Sequence, residues 1–467
     1  MVSKQKKIQH LFLRAGFGET PERINSLLNT SMSSIVEQLF ADSQNYQDMT
    51  YLSYPLPQDD EEKGAGNLKI LAQFIKSYKE REELNTEWIS RMATTPGVLR
   101  EKMTFFWHNH FATSTPFAYL MQVQNNTLRE YALGNFSDML HAIAKDPAMI
   151  IFLNNQQNKK AHPNENFARE VMELFTLGVG NYTEDDIKES ARAFTGWSVD
   201  RRGEYQFNEN QHDDGDKQFL GQKGDFNGDD ILNIILSKKE VSVFVTTKIY
   251  REFVNPVVDT NRVSQLAESF YQSNYDISAL MKQIFTSDWF YDEENIGAKV
   301  CSPVELIVRY KKLINVDTPN PKTILDLQKG LSQVLFFPPN VAGWKGGNTW
   351  IDSSSLMLRL TIPMYVIKGE GMIVKAKPHP EENPNDMQQE DENAGRGKIT
   401  ADWTALNTAF SNVPEDVRTE KMLDYFIQCD TSRIDRNLLK INWAKTDTNN
   451  LTLSMAAIMS LPEFQLI

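Results

Sequence analysis

The stretch Asn164-Glu165-Asn166-Phe167-Ala168-Arg169-Glu170-Val171-Met172-Glu173-Leu174-Phe175-Thr176-Leu177-Gly178 decides the fold class of this chain. Asn164 is a residue type favoured at helix N-caps, and Gly178 is of the type that commonly follows a helix C-terminus. At about 100° per residue, the apolar side chains gather on one side of a helical wheel: Phe167, Ala168, Val171, Met172, Leu174 and Phe175. The spacing therefore predicts an amphipathic helix of about three to four turns.

The opposite side of this predicted helix is polar. An arc of about 140° holds five residues: Glu165, Asn166, Arg169, Glu170 and Glu173. One interpretation is a solvated face with a charge ladder of Glu165, Arg169 and Glu173 at i,i+4 spacing. The other is a site in which Glu170 and Glu173 present two carboxylates beside Asn166. Arg169 would then hold a substrate anion or a neighbouring acid, and His162, just before the helix, could join them. The residues alone leave both interpretations open.

Helix signals recur outward from this stretch, whereas strand-like alternation is scarce. Three helix starts carry capping signals: Thr20-Pro21, Thr95-Pro96 before 98–111, and Thr183 with Asp186 before 184–194. Four more helices are predicted from periodicity: 241–253, 277–287, 303–314 and 353–365. Segment 200–230 is rich in Gly, Asp and Asn and predicts a short hairpin or an ordered loop. We therefore predict a mainly α fold, a large multi-helix globular domain with long irregular loops and at most a small hairpin.

Composition limits the class of protein further. The 467 residues are 40% hydrophobic and 24% charged, which permits a sizeable core. The formal net charge of −13 argues against binding to nucleic acid or an anionic membrane. Two cysteines, Cys301 and Cys429, are too few for a disulfide framework. No apolar run is long enough for a membrane span, and the basic N-terminus lacks a signal h-region. These features predict a cytoplasmic protein, unless an export signal has been removed from the chain.

Domain boundaries are indicated by one segment of unusual composition. Residues 375–398 are rich in Pro, Asn and acidic residues, and such a composition cannot bury enough apolar surface to order itself. We therefore predict three parts. Residues 1–374 form the main helical domain, 375–398 form an acidic mobile loop, and 399–467 form C-terminal helices that pack on the main domain.

Five of the seven histidines lie between positions 108 and 212, and the first two form the triplet His108-Asn109-His110. On a strand the two imidazoles would share a face and form a familiar metal pair. On a helix they point about 200° apart and cannot share an ion. Because the preceding residues predict a helix, a joint metal site requires that helix to end near Trp107. The other interpretation packs one histidine among aromatic rings and places the other at a helix C-terminus, where the dipole favours it.

Two further segments hold residues that a function could use. Arg192 lies in the helix predicted over 184–194 and either clamps an anion or forms a structural ion pair, while Gly196 supplies the positive φ that ends the helix. Trp344 and Trp350 lie on a loop rich in Gly and Pro. They either form a stacking platform for a sugar or peptide, or pin the loop onto the core.

A calcium loop is partly matched after residue 224. Asp225, Asn227 and Asp229 occupy its first, third and fifth positions. The sixth position is Asp230 rather than Gly, and the twelfth is not an acid, so the match fails where the loop needs it most. We expect Asp229 or Asp230 to cap a helix that begins at Ile231.

Eight motifs in a fixed order cover nearly the whole chain. They are 10–18 (HLFLRAGFG), 101–103 (EKM), 106–111 (FWHNHF), 164–170 (NENFARE), 173–178 (ELFTLG), 191–197 (ARAFTGW), 341–344 (VAGW) and 462–464 (PEF). In these motifs the chain resembles the bacterial family described as domain of unknown function 1800. The resemblance implies no established activity, although many relatives are exported.

The resemblance has two further implications. Genes of this family often lie beside genes of a second family, domain of unknown function 1501, which looks like a sulfatase or phosphatase, and this suggests a protein of that family as a partner. The motifs also hold side chains that are costly to bury unless they are paired or liganded. The resemblance therefore favours a functional site between Trp107 and Trp197.

Two functions from different classes remain open. The first is an enzyme that depends on a divalent metal ion, with His108, His110, His162, Glu170 and Glu173 as ligands. Its catalytic residues would be Glu165, Arg169, Glu170 and Arg192, with the arginines orienting an anionic group. The alternative is a non-catalytic scaffold that binds a neighbouring-gene product, a protein or a glycan, through the Trp344 and Trp350 loop.

Overall fold

Helices dominate the computed structural model, which describes residues 2–53, 66–318, 320–369, 399–439 and 450–467. The helices of the first half are α1 (Lys4–Arg14), α2 (Pro21–Ser26), α3 (Met32–Asp42), α4 (Gly66–Thr94), α5 (Val98–His110), α6 (Ala118–Tyr131), α7 (Phe136–Ala144), α8 (Pro147–Phe152), α9 (Asn166–Glu170) and α10 (Glu184–Ala193). A π-helical segment, Val171–Thr176, continues α9 without a break.

The second half of the chain continues the same pattern. Its helices are α11 (Gly228–Leu236), α12 (Lys239–Phe253), α13 (Thr260–Gln272), α14 (Ile277–Thr286), α15 (Pro303–Ile314), α16 (Pro321–Leu331), α17 (Ser353–Lys368), α18 (Thr404–Ser411), α19 (Glu415–Phe426), α20 (Arg436–Leu439) and α21 (Asn450–Met459). Within the described ranges, none of these helices combines the length and the hydropathy needed to cross a membrane.

Within the described part of the chain, the strands form two short antiparallel hairpins. In the first, β1 (Trp197–Val199) pairs with β2 (Tyr205–Phe207), and Trp197 lies opposite Phe207. In the second, β3 (Lys217–Phe219) pairs with β4 (Gln222–Gly224). The mainly α fold with small hairpins is thus confirmed. The hairpins lie in or next to the segment rich in Gly, Asp and Asn, where turns are cheap and no helical periodicity competes.

The helix boundaries follow the capping residues. Ser302 closes a capping box with Glu305 at the start of α15, and Thr183 does so with Asp186 at the start of α10. The helices predicted from periodicity are confirmed to within a few residues. Gly196 has a φ of 84° and ends the α10 region as expected. Local capping chemistry therefore explains where most of these elements begin and end.

The start of α11 differs from the prediction. Its N-cap is Asn227, whose Oδ1 accepts from the Asp230 N–H at 3.1 Å, while the Asp230 carboxylate accepts from the Asn227 N–H at 2.9 Å. The helix begins at Gly228 and not at Ile231. The expectation that Asp229 or Asp230 is the cap was wrong because a reciprocal capping box places its acid at the third helical residue.

The structure describes only some parts of the predicted domain division. Residues 375–398 lie outside the described residues. The helices after residue 399 pack on the rest of the chain, with contacts of α18 to α15, of α19 to α1 and of α21 to α17. The division into 1–374, 375–398 and 399–467 stays a prediction.

Helix α5 runs through the core, and it carries polar side chains there. Nearly every residue of α5 is buried, including Glu101, Lys102 and His108. Helices α3, α4 and α6 pack around it, and α12 packs on the π-helical segment. This arrangement brings the C-terminal end of α5 against the end of the 166–176 helix.

Candidate functional site

The end of α5 holds the two histidines of the predicted metal pair. The helix continues through His110, and the Phe111 N–H still donates to the Trp107 carbonyl at 2.8 Å. Because the helix does not end near Trp107, helical geometry turns the two imidazoles to opposite sides. The condition under which His108 and His110 would share one ion is therefore not met.

His108 is buried and accepts a backbone hydrogen bond. Its Nε2 accepts from the Phe336 N–H at 3.1 Å. Phe336 has a φ of 67°, in the left-handed region that bulky residues rarely adopt, so the imidazole supports a strained turn. The rings of Trp88 and Trp344 lie 5.2 and 5.8 Å from the imidazole. Burial lowers the pKa of His108 to about 3, which keeps the ring neutral.

Asn109 ties the end of α5 to the loop that carries the two tryptophans. Its Oδ1 accepts from the Trp344 N–H at 2.8 Å, and its Nδ2 donates to the Trp344 carbonyl at 3.3 Å. A Cβ on Gly343 would lie 2.3 Å from Asn109 Oδ1, so the close approach requires glycine. Trp344 and Trp350 are only 7% and 5% exposed. The contacts support the interpretation that these tryptophans pin the loop, and leave little ring surface for a stacking platform.

His110 faces the end of the neighbouring helix. Its Nε2 donates to the Phe175 carbonyl at 3.1 Å, and its Nδ1 accepts from Lys248 Nζ at 3.2 Å. Lys248 also donates to the Leu174 carbonyl at 2.8 Å. Burial, reinforced by the Lys248 charge, holds the pKa of His110 well below its usual range, and burial lowers the pKa of Lys248 to about 8. The two side chains cap the last carbonyls of the helix, where positive charge is favoured.

The helix predicted over 164–178 is only partly α-helical. It is α-helical over Asn166–Glu170 and π-helical over Val171–Thr176. The N–H groups of Leu177 and Gly178 both donate to the Met172 carbonyl, at 2.8 and 3.0 Å. Single π turns are rare, and those that do occur often lie at functional sites. The π turn also shifts the side chains after Glu170 away from the wheel positions that an ideal α-helix predicts.

Arg169 is held by two carboxylates. Its guanidinium donates to both oxygens of Glu184 in α10, at 3.0 and 2.9 Å, and to Glu165 at 3.2 Å. Glu173 instead accepts a hydrogen bond from Tyr182 Oη at 2.9 Å. Among the described contacts, the expected i,i+4 ladder exists from Glu165 to Arg169 but does not extend to Glu173. Glu184 and Tyr182 take the place that the ladder would have filled.

Glu170 stands out on this face because it lacks a partner. The carboxylate is half-buried and makes neither a hydrogen bond nor an ion pair with any residue in the described part of the chain. Burial raises its pKa, and the nearby Glu173 raises it further, although Arg169 opposes the shift. A partly desolvated carboxyl group beside a second carboxylate is an arrangement that suits proton transfer.

The remaining predicted site residues lie elsewhere. His162 is exposed, and its backbone N–H donates to the Lys159 carbonyl at 2.8 Å in a tight turn. Arg192 donates to both oxygens of Asp213, at 2.8 and 3.0 Å, and to Glu189 at 3.0 Å. These contacts give Arg192 the structural ion pairs that were one of its two interpretations.

The five predicted metal ligands occupy four different places. His108 lies against the loop at Phe336, and His110 lies behind the π turn. Glu170 and Glu173 lie on the polar face of the 166–176 helix. The exposed His162 lies in the tight turn that precedes this helix. Across the described ranges, no group of three or more His, Cys, Asp and Glu side chains is arranged to hold a metal ion. Within this set only Glu170 and Glu173 remain as neighbouring candidate ligands.

Buried ion networks escaped the sequence analysis. Glu101 accepts from Trp88 Nε1 at 2.8 Å, from Arg129 Nε at 2.7 Å and from Arg91 Nε at 2.9 Å. On the other side of α5, Lys102 pairs with Glu305. The signal was present at the EKM motif, where Arg100, Glu101 and Lys102 place three adjacent charges between apolar residues of a helix. Only the tertiary structure identifies their partners, because these come from distant helices.

Asp146 is a second residue that sequence analysis missed. It is the N-cap of α8, and its Oδ1 accepts from the Met149 N–H at 3.0 Å and from Gln124 Nε2 at 2.8 Å. Burial raises the pKa of Asp146 to about 7. Its hydrogen bonds assign it to the core packing of α6 and α8, and the sequence Asp146-Pro147 already carried the signal of a cap followed by proline.

Comparisons with known proteins identify one match. The family model described as "Protein of unknown function (DUF1800)" matches residues 10–466. Neither the curated proteins nor the solved structures gave a match to this chain. The match spans the end of α5, the 166–176 helix and the C-terminal helices together.

Proposed function

The chain belongs to the DUF1800 family, and from its geometry we propose that it is an enzyme in which Glu170 and Glu173 act as an acid–base pair. The single observation that carries the proposal is the unpartnered, half-buried carboxyl group of Glu170, the residue that directly precedes the π turn. The reaction class that suits such a pair is hydrolysis, in which a leaving oxygen or nitrogen takes up a proton.

The electrostatics of the pair support a division of roles. The pKa of Glu170 is raised by burial and by Glu173, so Glu170 keeps its proton at a higher pH than an ordinary glutamic acid. One oxygen of Glu173 accepts a hydrogen bond from the Tyr182 hydroxyl. Burial and this hydrogen bond raise the pKa of Tyr182 to about 12. Glu170 would act as the proton donor, while Glu173 would accept a proton from an attacking water.

Arg169 supports the same proposal as a positioning residue. Its contacts to Glu165 and Glu184 keep the guanidinium on the polar face beside Glu170. A guanidinium in that place orients an anionic or carbonyl group of a substrate through paired N–H donors. Glu165 contributes by holding Arg169. Arg192, engaged by Asp213 and Glu189, is assigned no direct part in the proposed reaction.

A divalent metal ion is also compatible with this site, with two of the five predicted ligands. Mg²⁺ and similar ions are often held by one or two carboxylates, with waters or substrate oxygens completing the shell. Glu170 and Glu173 are the pair that would serve. The metal would lower the pKa of a bound water, and His108 and His110 would contribute only by fixing the fold around the helix.

The test compares Glu170→Gln with Glu268→Gln. Glu268 is an exposed glutamate of α13 paired with Lys239, so its variant controls for the loss of one surface carboxylate. Both proteins are assayed with chromogenic acyl, phosphoryl and glycosyl substrates, with and without a chelator. We expect the rate of the wild-type reaction to fall by about 10²–10⁴-fold in Glu170→Gln and to persist in Glu268→Gln. An unchanged rate in Glu170→Gln would overturn the proposal.

The chelator arm separates the two forms of the site. An acid–base pair that acts alone keeps its rate in chelator, whereas a cation-assisted site loses it and recovers on addition of Mg²⁺, Mn²⁺ or Zn²⁺. A decline of the rate at alkaline pH, as Glu170 loses its proton, is expected in the first case. The Glu170→Gln variant should lack that decline.

A non-catalytic scaffold is the second candidate function, and one observation favours it. The polar residues of the 106–111 motif are engaged by groups of the same chain, as a self-sufficient structural network requires. A partner of the DUF1501 family belongs to this candidate. Co-purification with such a protein that survives Glu170→Gln would support the scaffold, and loss of a measured activity in a folded Glu170→Gln protein would count against it.

A further inference from the structure

A group of buried hydrogen-bond donors around Cys301 lacks acceptors. Arg359 of α17 is fully buried, and its Nη1 donates to the Cys301 carbonyl at 2.9 Å and to Gln465 Oε1 at 3.1 Å. Its Nε and Nη2 have no hydrogen-bond partner among the described residues. Buried guanidinium groups are normally saturated, so two open N–H positions on one arginine require an explanation.

Two neighbouring side chains add donors of the same kind. Gln465 gives its oxygen to Arg359, which leaves its Nε2 as a donor without an acceptor in the described chain. The Tyr310 hydroxyl, on α15, is also buried and unpartnered within the described ranges. The Tyr310 ring packs on the Phe464 ring, with centroids 5.8 Å apart, and Phe464 directly precedes Gln465 and accepts from Arg309 Nη1 at 3.0 Å.

The buried charges of this interior are also unbalanced. Five buried cations surround it: Arg14, Lys102, Lys299, Arg309 and Arg359. Two carboxylates face them, Glu305 and the less buried Glu252, so five positive charges meet two negative ones. The two lysines pair with these carboxylates, whereas the three arginines contact carbonyl and amide oxygens.

The Cys301 side chain beside Arg359 does not carry a charge. Burial raises the pKa of the Cys301 thiol to about 11, so the thiol stays protonated. Burial also lowers the pKa of Arg359, because desolvation disfavours its charged form. An uncompensated buried charge is costly, and buried charges are normally paired.

We propose that Arg359, Tyr310 and Gln465 hold a small monovalent inorganic anion, of the chloride type, in the interior beside Cys301. The anion accepts hydrogen bonds from Arg359 Nε and Nη2, from Tyr310 Oη and from Gln465 Nε2. Its charge compensates the excess of buried guanidinium groups. A water molecule would satisfy two of the donors but would leave that charge unpaired. The site joins α15, α17 and the C-terminal segment, so its occupation stabilises the packing of the C-terminal helices.

The direct test is diffraction from crystals of the full chain grown or soaked in sodium bromide. Bromide replaces chloride and scatters anomalously. We expect an anomalous peak within about 3.5 Å of the open Arg359 nitrogens, the distance range of a hydrogen bond to a large anion. Ordinary water density without an anomalous peak at that place would overturn the proposal. A peak found only at surface lysines would count as an adventitious ion only and would also overturn it.

A solution test uses a matched pair of tyrosine variants. Thermal unfolding is followed in sodium chloride, sodium bromide and sodium gluconate at equal ionic strength. The wild type should melt at a higher temperature in the halides, by about 2–4 °C for a chain of this size. In Tyr310→Phe the apparent halide affinity should fall by about tenfold, as expected for a lost hydrogen bond to a charged group.

The control is Tyr291→Phe, because the Tyr291 hydroxyl is buried and already donates to the Phe285 carbonyl at 2.7 Å. This variant should lose stability equally in all three salts and keep the halide affinity of the wild type. Equal melting temperatures of the wild type in all three salts would contradict the proposal, as would an unchanged halide affinity in Tyr310→Phe.

Discussion

The end of α5 and the polar face of the 166–176 helix carry similar residue types and use them in opposite ways. At the end of α5, His108, Asn109 and His110 are engaged by backbone groups of two other segments, the loop after α16 and the 166–176 helix. On the polar face, Glu170 is half-exposed and has no bonding partner in the described part of the chain. The polar groups of the first region form hydrogen bonds that stabilise the fold. In the second region the Glu170 carboxyl group remains available to a ligand.

The difference shows why a list of polar residues is a weak guide to a site. The tripeptide at the end of α5 resembles a metal motif, yet helical geometry separates its two imidazoles and burial keeps each neutral. The Glu-rich helix resembles an ordinary solvated face, yet its π turn and Tyr182 separate Glu173 from the charge ladder. Whether a polar group is already engaged decides which region can act on a ligand.

The largest effect is expected for His108→Ala. The substitution removes the acceptor of the Phe336 N–H and leaves a cavity among Trp88, Phe336 and Trp344. We expect the free energy of unfolding to fall by about 3–4 kcal/mol. Urea unfolding of His108→Ala and of the exposed control His162→Ala measures the difference. The control should change by less than about 0.5 kcal/mol. A loss below about 1 kcal/mol in His108→Ala would remove the structural half of the comparison.

The pH dependence of stability should have opposite signs in the two regions. The folded pKa of His108 is about 3, below the ordinary value of 6.5, so below pH 6.5 the unfolded chain binds a proton that the folded chain does not. The free energy of unfolding therefore falls as the pH drops, by up to about 1.4 kcal/mol per pH unit for this histidine. Glu170 has a raised pKa, so its contribution instead improves as the pH falls through that pKa toward 4.5.

Urea unfolding of the wild type, His108→Gln and Glu170→Gln between about pH 7 and pH 5 checks both signs. His108→Gln should flatten the acid loss of stability, and Glu170→Gln should steepen it. A steeper loss in His108→Gln would show that its imidazole is not held neutral.

A smaller loss is expected for Asn109→Ala. The variant removes two hydrogen bonds to the Trp344 backbone but leaves a smaller gap than the loss of an imidazole. We expect about 1–2 kcal/mol of lost stability, together with increased fluorescence quenching of Trp344 as its loop loosens. Acrylamide quenching checks the second effect. Quenching equal to that of the wild type would mean that Asn109 does not hold the loop.

The smallest effect on stability is expected for Glu170→Gln. The neutral amide replaces a carboxylate that has no partner and a raised pKa, so nothing stabilising is lost. At neutral pH the free energy of unfolding should stay within about 0.5 kcal/mol of the wild type, with any change toward greater stability. Chemical unfolding at that pH measures it. A loss above about 1 kcal/mol would reveal a structural role for Glu170 that the comparison does not allow.

Much of the fold could be predicted from the sequence because caps and periodicity are local. Thr183, Ser302 and Gly196 mark boundaries through the conformations of their own neighbours. The π turn at Val171–Thr176 could not be predicted, since two of its carbonyls accept from Lys248 and His110, which are distant in sequence. The periodicity of the sequence predicts a regular α-helix and contains no signal for a π turn.

The site could be predicted only in part. Glu170 and Glu173 were among the candidate residues because they share a polar arc of one helix. Their difference from His108 and His110 depends on partners that are distant in sequence, such as Phe336 and Tyr182. The buried network of Glu101 and Lys102 was missed for the same reason.

The pKa of the Glu170 carboxyl group tests the central claim most directly. Selective ¹³C labelling of glutamate side chains, with Glu170→Gln to assign the resonance, gives this pKa by NMR titration of the full chain. We expect a pKa above the ordinary 4.5 that moves down toward it in Glu173→Gln, because burial and Glu173 together raise it. A value at or below 4.5 in the wild type would contradict the account, since Glu170 would then be one more stabilised surface carboxylate.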